Sequence, residues 1–445
     1  MKRFTTIQAS VLALFLTQQI SCLKSSDQIQ QTPKFLSDAN TDNDAKIDKK
    51  FSIPLEKSVN RAQSRSEKNF GLRSQVKSIH RPIDGKGATV NLTNNYNFDY
   101  IGTFYVGNPP QPIRGCFDTG SANSWILSSE CTTDSCKNGI NQFFNPDNSP
   151  TFSNLHLRDE IMFGSGKLSG YFGEDDFRLG LGDYGITIHK QTIGLIIEEA
   201  ILDKDYDAII GLAYPKMASH GKPIMDSMID QKLLDTNMFA FFMSMTTNEQ
   251  SELTFGGYDE DRVDGEINWH PVADQLFWSL NLEDIKLNGQ SLGICQDRKC
   301  LVTPDSGTSL MTAPSWAFEK LKKLLPYKED CNDKTQFGVL TFVIDGKEYD
   351  IPSHHFMERY INVFEFGDQV CSTSMSTLNI EQDGQENLFI VGDSFMQIYY
   401  SIFDRDNDRV GLVRAKQTQR EQQIAQIDWK AMNGQFKPQN EHEQR

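Results

Sequence analysis

CFDTGSANSW, residues 116–125, sets one carboxylate, Asp118, between an apolar pair and a Thr-Gly turn. Alone, Asp-Thr-Gly reads as a surface turn, because Asp hydrogen-bonds the backbone two residues on and Gly tolerates positive φ. The rest of the chain changes that reading. TPDSGTS, residues 303–309, repeats the acidic turn around Asp305. After Asp118 comes AIIGLA (208–213), an apolar pair before Gly211; after Asp305, at nearly the same distance, comes FIVGDS (389–394), an apolar pair before Gly392. A two-part pattern that recurs at nearly constant spacing marks a duplicated unit. Two lobes related by a pseudo-two-fold axis would bring the acidic turns face to face.

The surroundings of the repeat read as strands. From about residue 96 to 413, short apolar or alternating runs (161–163, 186–188, 340–344, 388–391) are broken by Gly, Asn-Gly and Asp-Gly turns. Helical patterns are few, and those at 224–234 and 316–325 are the best. The fold class is all-β. After residue 415 the chain turns Gln-rich and charged, and 416–445 is expected to be a disordered tail.

With 445 residues, 38% apolar and 11% aromatic, the chain has room for two ordinary domains or one bilobal unit. A net charge of -16 argues against nucleic acid and anionic membranes as partners. Lys2 and Arg3 precede an apolar stretch at 7–16, the layout of a signal peptide (1–22), cut near Ser21 or Cys22 and too short to span a bilayer. QISC (19–22) is a poor lipidation site because Gln19 stands where an apolar residue is needed. No membrane anchor is read anywhere else, and the chain is expected to be a monomer.

In an oxidising compartment the cysteine spacing suggests three disulfides, Cys131 with Cys136, Cys295 with Cys300 and Cys331 with Cys371, leaving Cys116 over. Zinc is the competing reading, but no Cys-x-x-Cys occurs and the histidines are scattered, so no metal or cofactor is expected. Residues 23–88 hold thirteen Lys/Arg against eight Asp/Glu, while 89–445 carry a net -23. A basic segment ahead of an acidic body is either a disordered tail or an electrostatic clamp that acid releases.

Two carboxyl groups at hydrogen-bond distance cannot both ionise, so one pKa falls and the other rises. The ionised partner can take a proton from a water between them while the protonated one polarises a carbonyl. Gly120 and Gly307 allow close backbone approach and offer N–H groups to the carboxylates. Thr119 and Ser306 supply hydroxyls that could tie the turns together, and Ser121 and Thr308 can donate from one residue further on.

FDTGSANSW, DYDAIIGLAYP, PDSGTSLMTAP and IVGDSFMQIYYSIFDRDNDRVGL together resemble the pepsin-like aspartic proteases over roughly residues 51–415, in that family's order. Sharing of one proton between two aspartates is established for such enzymes. The resemblance implies a bilobal fold of two pseudo-symmetric β-barrel lobes (89–264 and 265–415), an active site in the cleft between them, and catalytic roles for Asp118 and Asp305. It also supports the three disulfides. KKFSIPLEK (49–57) is similar to the first strand of the family's inhibitory propeptide, which assigns 23–88 to a propeptide acting as the chain's own inhibitor. IMFGSGKLSGYFGED (161–175) matches the flap hairpin, with Gly164 and Ser165 offering backbone hydrogen bonds to an extended peptide. Where the family usually has a flap Tyr this chain has Phe163, so no hydroxyl meets the indole N–H of Trp125. Either the ring alone closes the cleft, or turnover is reduced.

Cys116, Phe117, Phe163, Tyr206 and Phe277 fall near the pockets implied by the resemblance, which favours large apolar residues in polypeptide substrates. The resulting expectation is an acid endopeptidase of the secretory pathway, secreted or held in a lysosome or digestive vacuole. The alternative is a protease-fold binding protein with weak or no activity, and the retention of both acids speaks against it. Asn91-Leu92-Thr93 is a glycosylation sequon. Four other motifs are set aside. GQSLG (289–293) lacks a helix after Ser291, and GLGDYG (180–185) leads into a strand. DRDNDR (404–409) has Arg409 where a calcium loop needs Gly, and His354 and His355 are expected to point apart on a strand.

Overall fold

The computed structural model describes residues 50–57, 87–89, 94–95 and 99–417, apart from 134–135, 137–140, 164–165, 182–184, 200–205, 246–248, 326–336, 363–367, 381 and 383. The expected signal peptide, most of 23–88, Asn91, Gly164, Ser165, Cys331 and the tail beyond 417 lie outside the described residues. Strands dominate and helices are short, as in an all-β protein. No described helix is long and apolar enough to cross a membrane.

The chain divides into two compact units. The first comprises Met1–Phe117, Ala122–Phe239 and Gln250–Tyr258. Its strands are β1 (Lys50–Lys57), β2 (Asp99–Val106), β3 (Gln111–Asp118), β4 (Trp125–Leu127), β5 (Ser153–Phe163), β6 (Gly166–Leu179), β7 (Ile186–Glu199), β8 (Ala208–Gly211) and β9 (Ser251–Phe255). Their order is β2-β3-β8-β4-β7-β6-β5, with β1 antiparallel to both β9 and β2. Two pairs, Tyr105 with Arg178 and Val106 with Phe177, link β6 back to β2.

The second unit comprises Asp118–Ser121, Ala240–Glu249 and Asp259–Arg445. Here β10 (Val263–Pro271) pairs with the β17 (Tyr399–Asp404) and β18 (Arg409–Ala415) hairpin. A separate sheet runs β15 (Lys347–Pro352), β14 (Val339–Ile344), β11 (Trp278–Leu287), β12 (Cys300–Pro304), β16 (Leu388–Val391), β13 (Met311–Ala313). That sheet is an open path, so the sheets are not clearly the closed barrels expected.

The sequence pattern explains these elements. β8 and β16, the apolar pairs of the repeat, are buried at every residue, which is why they read as unbroken apolar runs rather than alternations. Asn288-Gly289 (φ 52° and 77°) and Asp345-Gly346 (φ 43° and 74°) turn two hairpins with both central residues left-handed, the geometry that matches strand twist. Helix α1 (Ile224–Asp230) stops short of its apolar periodicity, and Lys232 just beyond it has φ 54°. Helix α2 (Ser315–Leu324) buries Ala317, Phe318 and Leu321 along one stripe.

DRDNDR is the β17–β18 turn. Asp404, fully buried, accepts from Asp406 N, Asn407 N, Asn407 Nδ2 and Arg409 Nε at 2.8–3.2 Å. Ser291 lies on the short strand Gln290–Ser291, with no helix following. His354 and His355 correct the strand expectation. Pro352 cannot donate to the ladder, β15 ends there, and the pair falls on the helical turn Ser353–Phe356 with ring centroids 4.3 Å apart. Among the described residues no group of His, Cys, Asp and Glu is placed to hold a metal ion.

Candidate active site

β3 ends on Asp118 and β12 ends one residue before Asp305, so each acid stands where a buried strand breaks into a turn. Both are buried, at 8% and 5% exposure. The turns are tied reciprocally. Thr119 N donates to Ser306 Oγ (3.1 Å) and Ser306 N donates to Thr119 Oγ1 (3.0 Å), while Thr119 Oγ1 donates to the Pro304 carbonyl (2.9 Å). Residues 187 apart in sequence therefore satisfy each other's backbone donors.

Each carboxylate receives an equivalent backbone donor. Gly120 N donates to Asp118 Oδ1 and Gly307 N to Asp305 Oδ1, both at 2.8 Å. Thr308 Oγ1 donates to Asp305 Oδ2 (2.8 Å), whereas the Ser121 hydroxyl, at the matching position beside Asp118, has no hydrogen-bond partner among the described residues. A Cβ on Gly120 would fall 2.6 Å from Asp305 Oδ2, and one on Gly307 would strike Asp118 Oδ1. Glycine is thus required at both positions, because each backbone lies against the opposite carboxyl group.

Burial raises the pKa of both acids, which lie close enough to act on one another. On Asp305 the Asp118 charge adds to desolvation, and the Thr308 hydroxyl and Gly307 N–H oppose it. On Asp118 desolvation is opposed by Ser121, Gly120 and Asp305. Both acids are therefore held toward the protonated form, and their closeness disfavours two charges at once.

The family model for eukaryotic aspartyl proteases matches residues 99–415. The chain belongs to that family. It is an aspartic-type endopeptidase, a hydrolase whose substrates are polypeptides. Cathepsin E of Cavia porcellus is 34% identical over 337 residues, covering 73% of this chain and 83% of the relative. Cathepsin E-A of Xenopus laevis is 34% identical over 334 residues, covering 72% and 80%. A pregnancy-associated glycoprotein of Equus caballus is 31% identical over 353 residues, covering 76% and 87%.

In this aspartyl protease the other predicted residues are spread more widely. Trp125 belongs to the core of the first unit, with Leu127, Leu168, Phe172, Ile196 and Ile209, and Tyr206 packs against that cluster. Trp125 Nε1 finds no hydrogen-bond partner among the described residues. Cys116 and Phe117 are buried, and Phe117 meets Phe104 edge-on at 6.2 Å, so both are packing residues of the same unit. Phe163 ends β5, and Phe277 lies half-buried in the turn before β11. Disulfides join Cys131 to Cys136 and Cys295 to Cys300; Cys371 is also disulfide-bonded.

Sequence reasoning missed the backbone supports. Asp305 N donates to Val391 O (3.0 Å), Asp393 N to Thr308 O (2.8 Å) and Gly392 N to Leu310 O (2.8 Å). The only signal was the recurring apolar pair before Gly. A Cβ on Gly392 would collide with the Thr308 carbonyl, and one on Gly211 with the Ala122 backbone. In both halves that glycine lets a buried strand end press against the loop that follows the acid.

Proposed function

We propose that the enzyme hydrolyses peptide bonds in acid by a water activated between Asp118 and Asp305. Asp118, ionised, takes a proton from the water as its oxygen attacks the scissile carbonyl carbon. Asp305 gives its proton to the carbonyl oxygen. Collapse of the resulting diol returns that proton, breaks the C–N bond and delivers the proton held by Asp118 to the leaving amine. The observation that carries this reading is the buried pair of acids, each lying against the other's glycine, in turns cross-tied by Thr119 and Ser306. Cleavage of an acid-denatured protein by the wild type, abolished in Asp305→Asn, tests it; equal cleavage by both would overturn it.

The β5–β6 hairpin is proposed as the flap over the substrate. Phe163 brings no hydroxyl to it, and the unpartnered indole N–H of Trp125 supports reduced turnover rather than none. The intact cradles of both acids argue against the reading as an inactive binding protein. Large apolar residues flanking the cleaved bond remain the proposed preference, on the strength of Phe163, Tyr206 and Phe277.

Residues 23–88 are proposed to act as an intramolecular inhibitor. In support, β1 takes a place in the first unit, Phe51 to Leu55 pairing with Phe255 to Ser251, and Gly87–Thr89 runs parallel beside it. The basic leader, apolar stretch and polar continuation support a place in the secretory pathway, and the enzyme is proposed to be a monomer.

A further inference from the structure

Within the first unit, the segment just after the acidic turn grips a distant loop. Asn123 Oδ1 accepts from Ser219 N (2.7 Å) and Ser219 Oγ (3.1 Å), and its Nδ2 donates to the His220 carbonyl (2.5 Å). The loop is pressed down on its other side, because a Cβ on Gly221 (φ 68°) would collide with Thr192 of β7. Its backbone is therefore held, and the His220 ring is presented in a defined place.

That ring touches both strands of one hairpin. It lies edge-on to Phe172 of β6, centroids 4.8 Å apart at 64°. Phe172 is fully buried and meets Trp125 edge-on at 5.0 Å. His220 Nε2 stands 3.8 Å from Asp159 Oδ2 of β5, four residues before Phe163. A second ion pair, Glu160 with Lys167, joins β5 to β6 within the hairpin. It keeps the two strands together without fixing where the hairpin lies.

We propose that His220 is a positioning residue that ties the β5–β6 hairpin to the segment following Asp118 and so sets the pose in which the hairpin meets substrate. This rests on the reading of that hairpin as the flap of an acid endopeptidase. At 3.8 Å the contact is an ion pair when the ring carries a proton, not a direct hydrogen bond. Both side chains are about a third exposed, so solvent weakens the pair and its effect is a matter of a few-fold.

Two substitutions separate the ion pair from the ring contact. His220→Phe keeps an aromatic edge toward Phe172 and removes the imidazole, whereas Asp159→Asn removes the charge from the hairpin side. In the acid-processed full chain, each is expected to raise KM for a peptide substrate about threefold and change kcat by less than about twofold. Amide exchange across 153–163 and 166–172 should quicken, with little change in melting temperature. The double variant should be no worse than either single one, because the two changes remove one interaction. Unaltered hairpin exchange in both variants overturns the proposal, as does a fall in kcat with KM constant. A wild-type protein that cleaves nothing in acid overturns the proposed function alone, since the exchange arm still decides the tether.

Discussion

Asp118 and Asp305 end equivalent strands and receive equivalent backbone donors, Gly120 N and Gly307 N at 2.8 Å, yet their surroundings treat them differently. Asp305 bears the Asp118 charge on top of its own desolvation. Among the described residues Asp118 accepts from Gly120 N alone, while Asp305 accepts from both Gly307 N and the Thr308 hydroxyl. A scaffold with matching halves thus cradles its two acids unevenly. Once two buried carboxyl groups lie close together only one can stay charged, so duplication of the turns yields unlike chemical roles.

The strongest way to break this comparison is to neutralise one acid at a time. Asp118→Asn and Asp305→Asn are each expected to lower kcat about a thousandfold or more, because neither cradle can supply the other's proton transfer. A peptide cleavage assay with each purified variant checks this, and an active Asp305→Asn enzyme would refute the shared proton.

Next in size are the ties between the turns. Thr119→Val keeps the side-chain shape and leaves Ser306 N without its acceptor, at a cost of about 1–3 kcal/mol of stability. Ser306→Ala strands Thr119 N in the same way. Denaturant unfolding of the single and double variants should show a double loss smaller than the sum, since both break one reciprocal pair.

Smaller effects sharpen the asymmetry. Ser121→Ala removes the hydroxyl that lowers the Asp118 pKa, and should move the acid limb of the kcat/KM profile to higher pH. Thr308→Val does the same for Asp305 and should move the basic limb upward. If either variant shifted the limb assigned to the other acid, the assignment would be reversed.

The smallest expected effect contrasts the acid pair with a buried base. His270 is almost fully buried, with Nδ1 3.1 Å from Asp345 Oδ2 and Nε2 2.5 Å from the Tyr349 hydroxyl, and burial lowers its pKa below 6.5. A depressed base binds fewer protons folded than unfolded, so its contribution to stability is whole above 6.5 and is lost as pH falls below that value. The raised acids behave oppositely: their contribution is present below 3.8 and lost as pH rises through their folded values. His270→Gln should flatten the loss of melting temperature between about pH 7 and pH 5, whereas Asp305→Asn should raise melting temperature at neutral pH.

Much of the fold was legible because it rests on local rules. Asn288-Gly289 and Asp345-Gly346 announce hairpins through backbone conformations that few other pairs adopt. AIIG and LFIV announce buried strands through unbroken apolar runs. His354 and His355 were misread because the effect of Pro352 on the ladder outweighed the strand pattern before it. At the site, the donors carried on the repeated turns were legible. The carbonyl acceptors Pro304, Val391 and Thr308 were not, since a backbone oxygen has no letter in the sequence.

By itself the sequence determined that two acidic turns exist, that each carries glycine, a hydroxyl before it and a hydroxyl after it, and that each is followed at like distance by an apolar pair and glycine. Side-chain chemistry and spacing are written residue by residue, so duplication is visible without coordinates. Only the tertiary structure decided that Thr119 and Ser306 each donate a backbone N–H to the other's hydroxyl and that each glycine lies against the opposite acid. It alone decided that both acids are buried. Those are distances between residues far apart in the chain, and burial, which sets how strongly the charges act on one another, belongs to the packed molecule.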